Sequence, residues 1–386
     1  MYRNTFRAFI GITLVLISCN KLKEILNIYS PRQAYSSSVK KVNVFDSTLI
    51  YKWETSWDSA IYNTVSISIP YKETGYFSAR APQASSFIFD LKTGEILVID
   101  IQSKDKLFAE LFKTSGNYSD ELDTERIAYF EEGDSILELE IKDAGNYIFK
   151  LQSELLSQGY YDVSIRKKPQ MIFPVAGKDA RAVQSYWGAS RDGGVRSHEG
   201  IDIFAPKGTP VIAAVSGLAS TTENKLGGKA IWIYQPQKKR SLYYAHLDSQ
   251  YIKTKIVRVG DTIGTVGNTG NAKFTASHLH FGIYSTGHGP VDPLPFIDNV
   301  SIYPKEVNSN AIDLLNNKYG KVKNSANVRV GPSLKNEVDT TLRSGATVAV
   351  KAVSNDFYRV KLLNGQHGFI YHTLLTALKS EETILN

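Results

Sequence analysis

The sequence predicts a mainly β protein of three units: an N-terminal β-sandwich, a central antiparallel-β domain and a C-terminal small barrel. Three observations carry this. The length, 386 residues, exceeds what one ordinary hydrophobic core holds, so two or three domains are expected. Leu137, Leu139 and Ile141 alternate with Glu138, Glu140 and Lys142, the period-two pattern of a half-buried strand. Elsewhere short apolar runs are punctuated by Gly, Asn, Asp and Pro, and in residues 170–300 only 180–186 offers a candidate helix.

Residues 1–18 read as a secretion signal. Arg3 and Arg7 form a basic start, and residues 8–17 form an apolar run too short to span a bilayer comfortably. The run ends in Leu16-Ile17-Ser18-Cys19, which resembles the lipobox of bacterial lipoproteins. That resemblance implies cleavage before Cys19 and its lipidation, hence a membrane anchor in the cell envelope. Cys19 is the one cysteine, so an intramolecular disulfide is excluded. Asn20 after it leans toward the outer membrane by analogy with enteric lipoproteins. The formal charge of +7 loses two arginines and no acid with residues 1–18, leaving +5. With no dense Lys/Arg stripe interleaved with aromatics, nucleic acid is not an expected partner.

Residues 19–45 are polar and basic, with Ser36-Ser37-Ser38, and read as a tether. Residues 46–168 read as the sandwich, with strands at 96–102, 107–113, 137–141, 147–151 and 160–166 separated by turns such as Lys92-Thr93-Gly94 and Asp143-Ala144-Gly145-Asn146. No catalytic constellation is visible there. Residues 169–300 form the central domain, entered between Pro169 and Pro174, with strands at 211–215, 230–234 and 241–246. An Asn-rich linker, 301–318, leads to the barrel at 319–377, with strands at 327–330, 347–352, 358–362 and 367–371 and a tail at 378–386.

Five of the seven histidines fall between residues 198 and 288. In His198-Glu199-Gly200-Ile201-Asp202 the i, i+4 spacing suits a helix, but Gly200 and Pro206 argue against one. Ile201 and Ile203 alternate with Gly200 and Asp202, so a strand is expected, with 198, 200 and 202 on one face and Gly200 leaving room for an ion. The same parity puts His278 and His280 of His278-Leu279-His280-Phe281 on one face. Two imidazoles and a carboxylate are a ligand set that holds a catalytic zinc with coordination positions open to water.

Residues 174–294 resemble the LytM/lysostaphin-type zinc metallopeptidases, which cut peptidoglycan peptides. Besides the two histidine motifs, the likeness runs through Ser185-Tyr186-Trp187-Gly188, Ala205-Pro206-Lys207-Gly208-Thr209-Pro210-Val211, Tyr244-Ala245-His246-Leu247, Val259-Gly260-Asp261, Gly267-Asn268-Thr269-Gly270 and Asp292-Pro293. It implies that His198, Asp202 and His280 ligate Zn2+ and that His246 and His278 act catalytically beside the open position. Spacing leaves open which of the two is base and which stabilises the oxyanion. Seven residues, 271–277, replace a shorter loop common in the family, and Gly282 stands where Glu is frequent. Both departures flank the cleft and bear on substrate preference. His288 reads as a loop residue, and His367 and His372 as solvent-facing or structural.

Ala326-Asn327-Val328-Arg329-Val330-Gly331-Pro332-Ser333 resembles the opening of a bacterial SH3-like domain, supported by Leu342-Arg343-Ser344-Gly345 and Gly365-Gln366-His367-Gly368-Phe369-Ile370. Such domains often bind wall peptides. Here Phe357-Tyr358 and Phe369 stand where Trp is usual, so either an altered aromatic binding face or a merely packing barrel is implied. The whole then reads as a lipid-anchored zinc endopeptidase acting on peptidoglycan. A non-catalytic wall-binding or hydrolase-activating protein of the same fold is the alternative, against which the full ligand set argues.

Overall fold

A computed structural model describes residues 29–42, 46–79, 81–115, 123–252, 255–300, 303–317 and 319–378. The secretion signal and Cys19 lie outside these residues, as do residues 20–28 and 43–45 of the expected tether. Strands dominate, in the order the sequence suggests, but the first described segment is helical.

Helices α1 (Pro31–Val42) and α2 (Ser47–Ser59) occupy the stretch expected to hold the end of the tether and the first sandwich residues. Asp46 caps α2, accepting from the Thr48 amide at 2.6 Å. Ile50, Trp53 and Trp57, spaced three and four apart, form its buried stripe. Trp53 donates its indole N–H to the Ser153 carbonyl at 2.8 Å, and the Arg32 guanidinium lies 4.4 Å from the centres of both the Trp53 and Trp57 rings. Arg32 also donates to Gln152 at 2.9 Å. The tether expectation is therefore corrected for residues 31–42: they form a helix whose Arg32 and Gln33 bond to the sandwich, while Ser37, Ser38, Lys40 and Lys41 face solvent.

The sandwich has two sheets. One orders Val65–Ser66, Ala84–Leu91, Gly145–Ser153, Leu107–Ser115 and Asp123–Tyr129, and the other runs Tyr71–Phe77, Gly159–Pro169, Glu95–Ser103 and Ile136–Glu140. Phe87, Phe149, Leu97, Ile99, Val163 and Ile165 pack between them, none more than marginally exposed. The second sheet does not stop at its edge. Tyr71–Phe77 pairs with barrel strand Thr347–Ser354, Thr74 opposite Val353 and Gly75 opposite Ala352, so sandwich and barrel share one eleven-stranded sheet.

A buried ion pair sits at that seam. Arg359 donates to both oxygens of Glu73 at 2.7 and 2.8 Å, and the Tyr71 and Tyr161 hydroxyls donate to the same carboxylate at 2.6 and 2.9 Å. Burial alone lowers the Arg359 pKa, but the Glu73 charge outweighs it and raises the net value; burial and Glu73 together push Tyr71 and Tyr161 up. A Cβ on Gly75 would stand 2.2 Å from the Tyr161 ring, so only glycine fits there.

Phe357 and Phe369 are buried against the sandwich core and Tyr358 in the barrel core, so of the two alternatives for these aromatics the packing one holds at these three positions. The linker expectation changes too. Ser309–Asn317 is a 3-10 segment whose Ala311, Leu314 and Leu315 complete the barrel core beside Val348, Val350 and Val360.

The central domain is a sheet ordered Val183–Ser185, Ile201–Phe204, His278–Ser285, Arg240–Leu247, Gly228–Gln235, Gly217–Asn224 and Ile256–Val257, with Gly289–Val291 beside His278–Ser285. A second sheet of Pro210–Ile212, Thr262–Thr265 and Ser249–Gln250 covers its core face, burying Ile201, Ile203, Leu279, Phe281, Leu242, Tyr244, Val211 and Ile263. The candidate helix at 180–186 is instead a 3-10 turn, Ala180–Ala182, capped by Asp179, then a strand. Lys238 pairs with Glu140 across the boundary with the sandwich at 2.5 Å.

Candidate metal centre

The open face of the central sheet floors a cleft of about 650 Å3. Its described lining residues all lie between 185 and 284, within the central domain. Asp202 and His280 are direct cross-strand partners, as are Phe204 and His278, and Ala245 faces His280 from the next strand. Alternation sends Ile201, Ile203, Leu279 and Phe281 to the core and leaves Asp202, His278 and His280 on the cleft side. Parity was therefore right for the pair at 278 and 280.

Residue 198 does not lie on the expected strand. The strand begins at Ile201, and His198 precedes it. His198 is fixed by its own amide, which donates to the Ala189 carbonyl at 2.8 Å. Gly200 does leave room, but for a ring: a Cβ there would stand 2.7 Å from His280 Cε1 and 2.6 Å from the Phe281 carbonyl oxygen.

Three donor atoms converge. His198 Nε2 lies 3.0 Å from His280 Nδ1 and 3.1 Å from Asp202 Oδ1, and His280 Nδ1 lies 3.1 Å from the same oxygen. Two ligands on a tetrahedral ion with bonds near 2.0–2.1 Å are separated by about 3.3 Å, so this triangle has the dimensions of one face of such a site. Two imidazole nitrogens and one carboxylate oxygen also match borderline-soft divalent ions in chemistry. The group fits a metal.

The surrounding groups hold the donors in the required state. His198 Nδ1 stands 3.0 Å from the Tyr186 carbonyl, which can only accept, and 3.0 Å from Arg191 Nη2, which can only donate; the tautomer that turns an Nε2 lone pair to the triangle is the one whose Nδ1 proton goes to Tyr186. Arg191 donates to Asp202 Oδ2 at 2.5 Å and to Ser185 Oγ at 2.6 Å, turning Oδ1 inward. Burial pushes the Asp202 carboxyl up, but the hydrogen bonds and charges of His198 and His280 together hold it well below the carboxylate range. Burial lowers His280, partly countered by Asp202.

His246 and His278 flank this triangle, their rings 5.0 Å apart and that of His246 6.0 Å from His280. Each stands within reach of a carbonyl through Nδ1, His246 of Thr269 at 2.9 Å and His278 of Ala276 at 2.8 Å. Each Nδ1 therefore carries the proton, leaving Nε2 as an acceptor. Burial lowers His246 to about 4, so it is neutral at physiological pH.

Sequence parity would put His246 beside Tyr244, in the core. A bulge opposite Ala230 and a left-handed backbone at His246 (φ 60°) turn it into the cleft instead. Arg191 and the Tyr186 carbonyl were missed altogether. Tyr186 lies within a quoted motif, whereas nothing in the spacing marks Arg191. His288 is exposed in a turn, as expected.

Residues 196–293 match the model of peptidase family M23, and residues 324–376 that of the bacterial SH3 domain. The chain is 35% identical over 130 residues to peptidoglycan DD-endopeptidase ShyC of Vibrio cholerae, covering 32% of this chain and 29% of that protein. It is 36% identical over 138 residues to an L-Ala--D-Glu endopeptidase of Bacillus subtilis, covering 32% and 42%. With the DD-carboxypeptidase/endopeptidase Mpg of Neisseria meningitidis serogroup B it shares 40% over 100 residues, covering 26% and 22%. In each case the match spans less than half of the relative's length.

Proposed function

We propose that this chain, which carries an M23 peptidase domain and a bacterial SH3 domain, is a zinc metalloendopeptidase that hydrolyses amide bonds in the cross-linked stem peptides of peptidoglycan. The observation that carries this reading is the His198–Asp202–His280 triangle with two further histidines beside it, each holding its proton on the side away from the cleft. Zinc held by the three ligands would polarise the scissile carbonyl and bring the pKa of a bound water toward ~7.

The chain's own residues supply the rest. The Nε2 atoms of His246 and His278 are placed to accept a proton and return it to the leaving amine, a service worth about 10²- to 10⁴-fold in rate. Arg191 and the Tyr186 carbonyl fix the orientation and tautomer of two ligands. Tyr243 and Tyr284, both raised by burial, remain protonated hydrogen-bond donors along the cleft. Phe274 in the segment 271–277, whose Asn271, Ala272 and Thr275 line the cleft, is 93% exposed, and Val195, another lining residue, is 84% exposed; such apolar groups at the rim suit an extended peptide. The relatives' names specify different bonds, and the longer wall at 271–277 is where this chain's bond preference would be set.

The lipobox at Cys19 supports anchoring in the cell envelope, on the outer membrane by the analogy of Asn20. A non-catalytic wall-binding or hydrolase-activating role is the competing reading, and retention of all three ligands weighs against it. Zinc content and muropeptide release, measured for the chain and for His198→Ala, separate the two. Binding to sacculi without metal-dependent cleavage would sink the enzyme. A Cys19→Ala form that still partitions with membranes would sink the anchor.

A further inference from the structure

The cleft carries a second polar feature beside the metal triangle. Two carboxylates are among its described lining residues, Asp202 and Glu199. Asp202 is taken up by Arg191 and the two ligand histidines. Glu199 is exposed and forms no hydrogen bond or ion pair with any described residue. Neither arginine of the wall answers it: Arg191 is bound to Asp202 and Ser185, and Arg196 is engaged elsewhere.

Aromatic rings gather beside this carboxylate, and Gly282 is what lets them. Tyr243 is the cross-strand partner of Gly282, and Trp232 that of Tyr243. The Tyr284 ring lies back over Gly282: a Cβ there would stand 3.0 Å from Tyr284 Cε2 and 3.2 Å from the Glu199 carbonyl oxygen. A glutamate at 282, frequent among LytM/lysostaphin-type peptidases, would press on both and add a charge of its own. Trp232 braces the pair, its ring centre 4.3 Å from that of Tyr243 and 5.3 Å from that of Tyr284. After burial, the Glu199 charge and then Tyr243 do most to raise Tyr284, so the three polar groups lie close together. The Tyr243 ring stands 6.0 Å from that of the ligand His280. That is less than two residues of extended chain at ~3.3–3.6 Å each, so a group held here belongs to a residue flanking the cleaved bond.

An exposed carboxylate with no cation of its own, set beside electron-rich rings, complements a primary ammonium group, which pairs with the first and is attracted by the second. We propose that Glu199, Tyr243 and Tyr284 form a specificity subsite for a free ammonium group carried by the substrate peptide next to the scissile bond, with Glu199 as its countercharge. Given the peptidase reading on which this rests, the cleft prefers peptides with an unmodified amine, from a basic side chain or a free amino terminus.

The probes are three forms of one synthetic stem peptide containing a single lysine: unmodified, acetylated on the lysine Nζ, and acetylated on the α-amine. Initial rates on the zinc-loaded full chain give kcat/KM. Calorimetry on the full chain carrying His246→Ala, in which turnover is slowed, gives affinity. Loss of the recognised amine is expected to lower both by about five- to tenfold, and which acetylation does so assigns the side chain or the terminus as the source. Glu199→Gln should bring the ratio of free to acetylated peptide close to one. Glu199→Lys should invert it, and Tyr284→Leu should shrink it about two- to fourfold. Glu337→Gln, which alters an exposed acid of the barrel, should leave the ratio as it is. A merely structural role for Glu199 would weaken all three peptides together and leave the ratio untouched. Equal affinity for the three peptides, or an unaltered ratio in Glu199→Gln, overturns the subsite. Absence of hydrolysis with the affinity ratio preserved overturns the peptidase reading instead, so the two failures are told apart.

Discussion

Asp202 and Glu73 are both buried carboxylates facing an arginine, yet they are finished differently. Glu73 accepts four hydrogen bonds, two from Arg359 and one each from Tyr71 and Tyr161, and neither oxygen is left over. Asp202 gives one oxygen to Arg191 and turns the other toward two imidazole nitrogens, His198 Nε2 and His280 Nδ1. Protein alone completes the first cluster, which locks two domains together. The second presents a donor set that a cation would complete. Full satisfaction reads as architecture, and converging potential ligand atoms read as a seat for an ion.

Several experiments break or sharpen this contrast. The largest effect falls on the incomplete cluster: His246→Ala should lower the rate of muropeptide release by about 10²- to 10⁴-fold while zinc content, followed by atomic absorption, stays unchanged. Loss of zinc in that variant would make His246 a ligand instead. In the complete cluster, Arg359→Met leaves Glu73 buried and unmatched and should cost about 3–5 kcal/mol in denaturant unfolding. Arg191→Ala removes an orienting donor, not a ligand, and should weaken zinc affinity by about 10- to 100-fold, measured by competition with a chelator. A loss no larger than the scatter of surface variants would show that Asp202 orients itself. Replacing both partners, Glu73→Leu with Arg359→Met, should recover most of the stability lost by the single change, since apolar packing also satisfies the seam.

The smallest effect concerns acid. His367, lowered to about 3 from ~6.5, binds fewer protons folded than unfolded between those values. Its contribution is therefore present above pH ~6.5 and is lost as pH falls toward 3. Melting curves of His367→Gln should accordingly be flatter over that window than those of the unaltered chain.

How much of this was readable from sequence follows from how regular each strand is. Between 137 and 141 the backbone is extended and period two holds, so alternation found the strand. The same rule sorted His278 and His280. Applied to His246 it would mislead, because an inserted residue reverses parity there without any compositional mark. It failed before residue 60 for another reason. Ile50, Trp53 and Trp57 spell a helical stripe behind an Asp cap, but the serines and basic residues ahead of them look like solvent-facing chain. Arg32 between two indoles is buried polar matter that composition cannot distinguish from exposed charge. Phe357 and Phe369 were recognised as the aromatic positions of a small barrel, while their burial depended on a neighbour 200 or more residues away.

The pairing of Tyr71–Phe77 with Thr347–Ser354 also sets an order of assembly. Glu73 and Arg359 are separated by 286 positions, so the frame carries a contact order far above that of the cleft domain strung between its halves. The central domain, whose strands all lie within residues 183–291, can condense first, while the frame waits for chain made much later. During that interval the edge of Tyr71–Phe77 is an open template, and a partner chain offering its own Thr347–Ser354 strand would fill it equally well. Domain-swapped dimers at high concentration are the misassembly this topology invites.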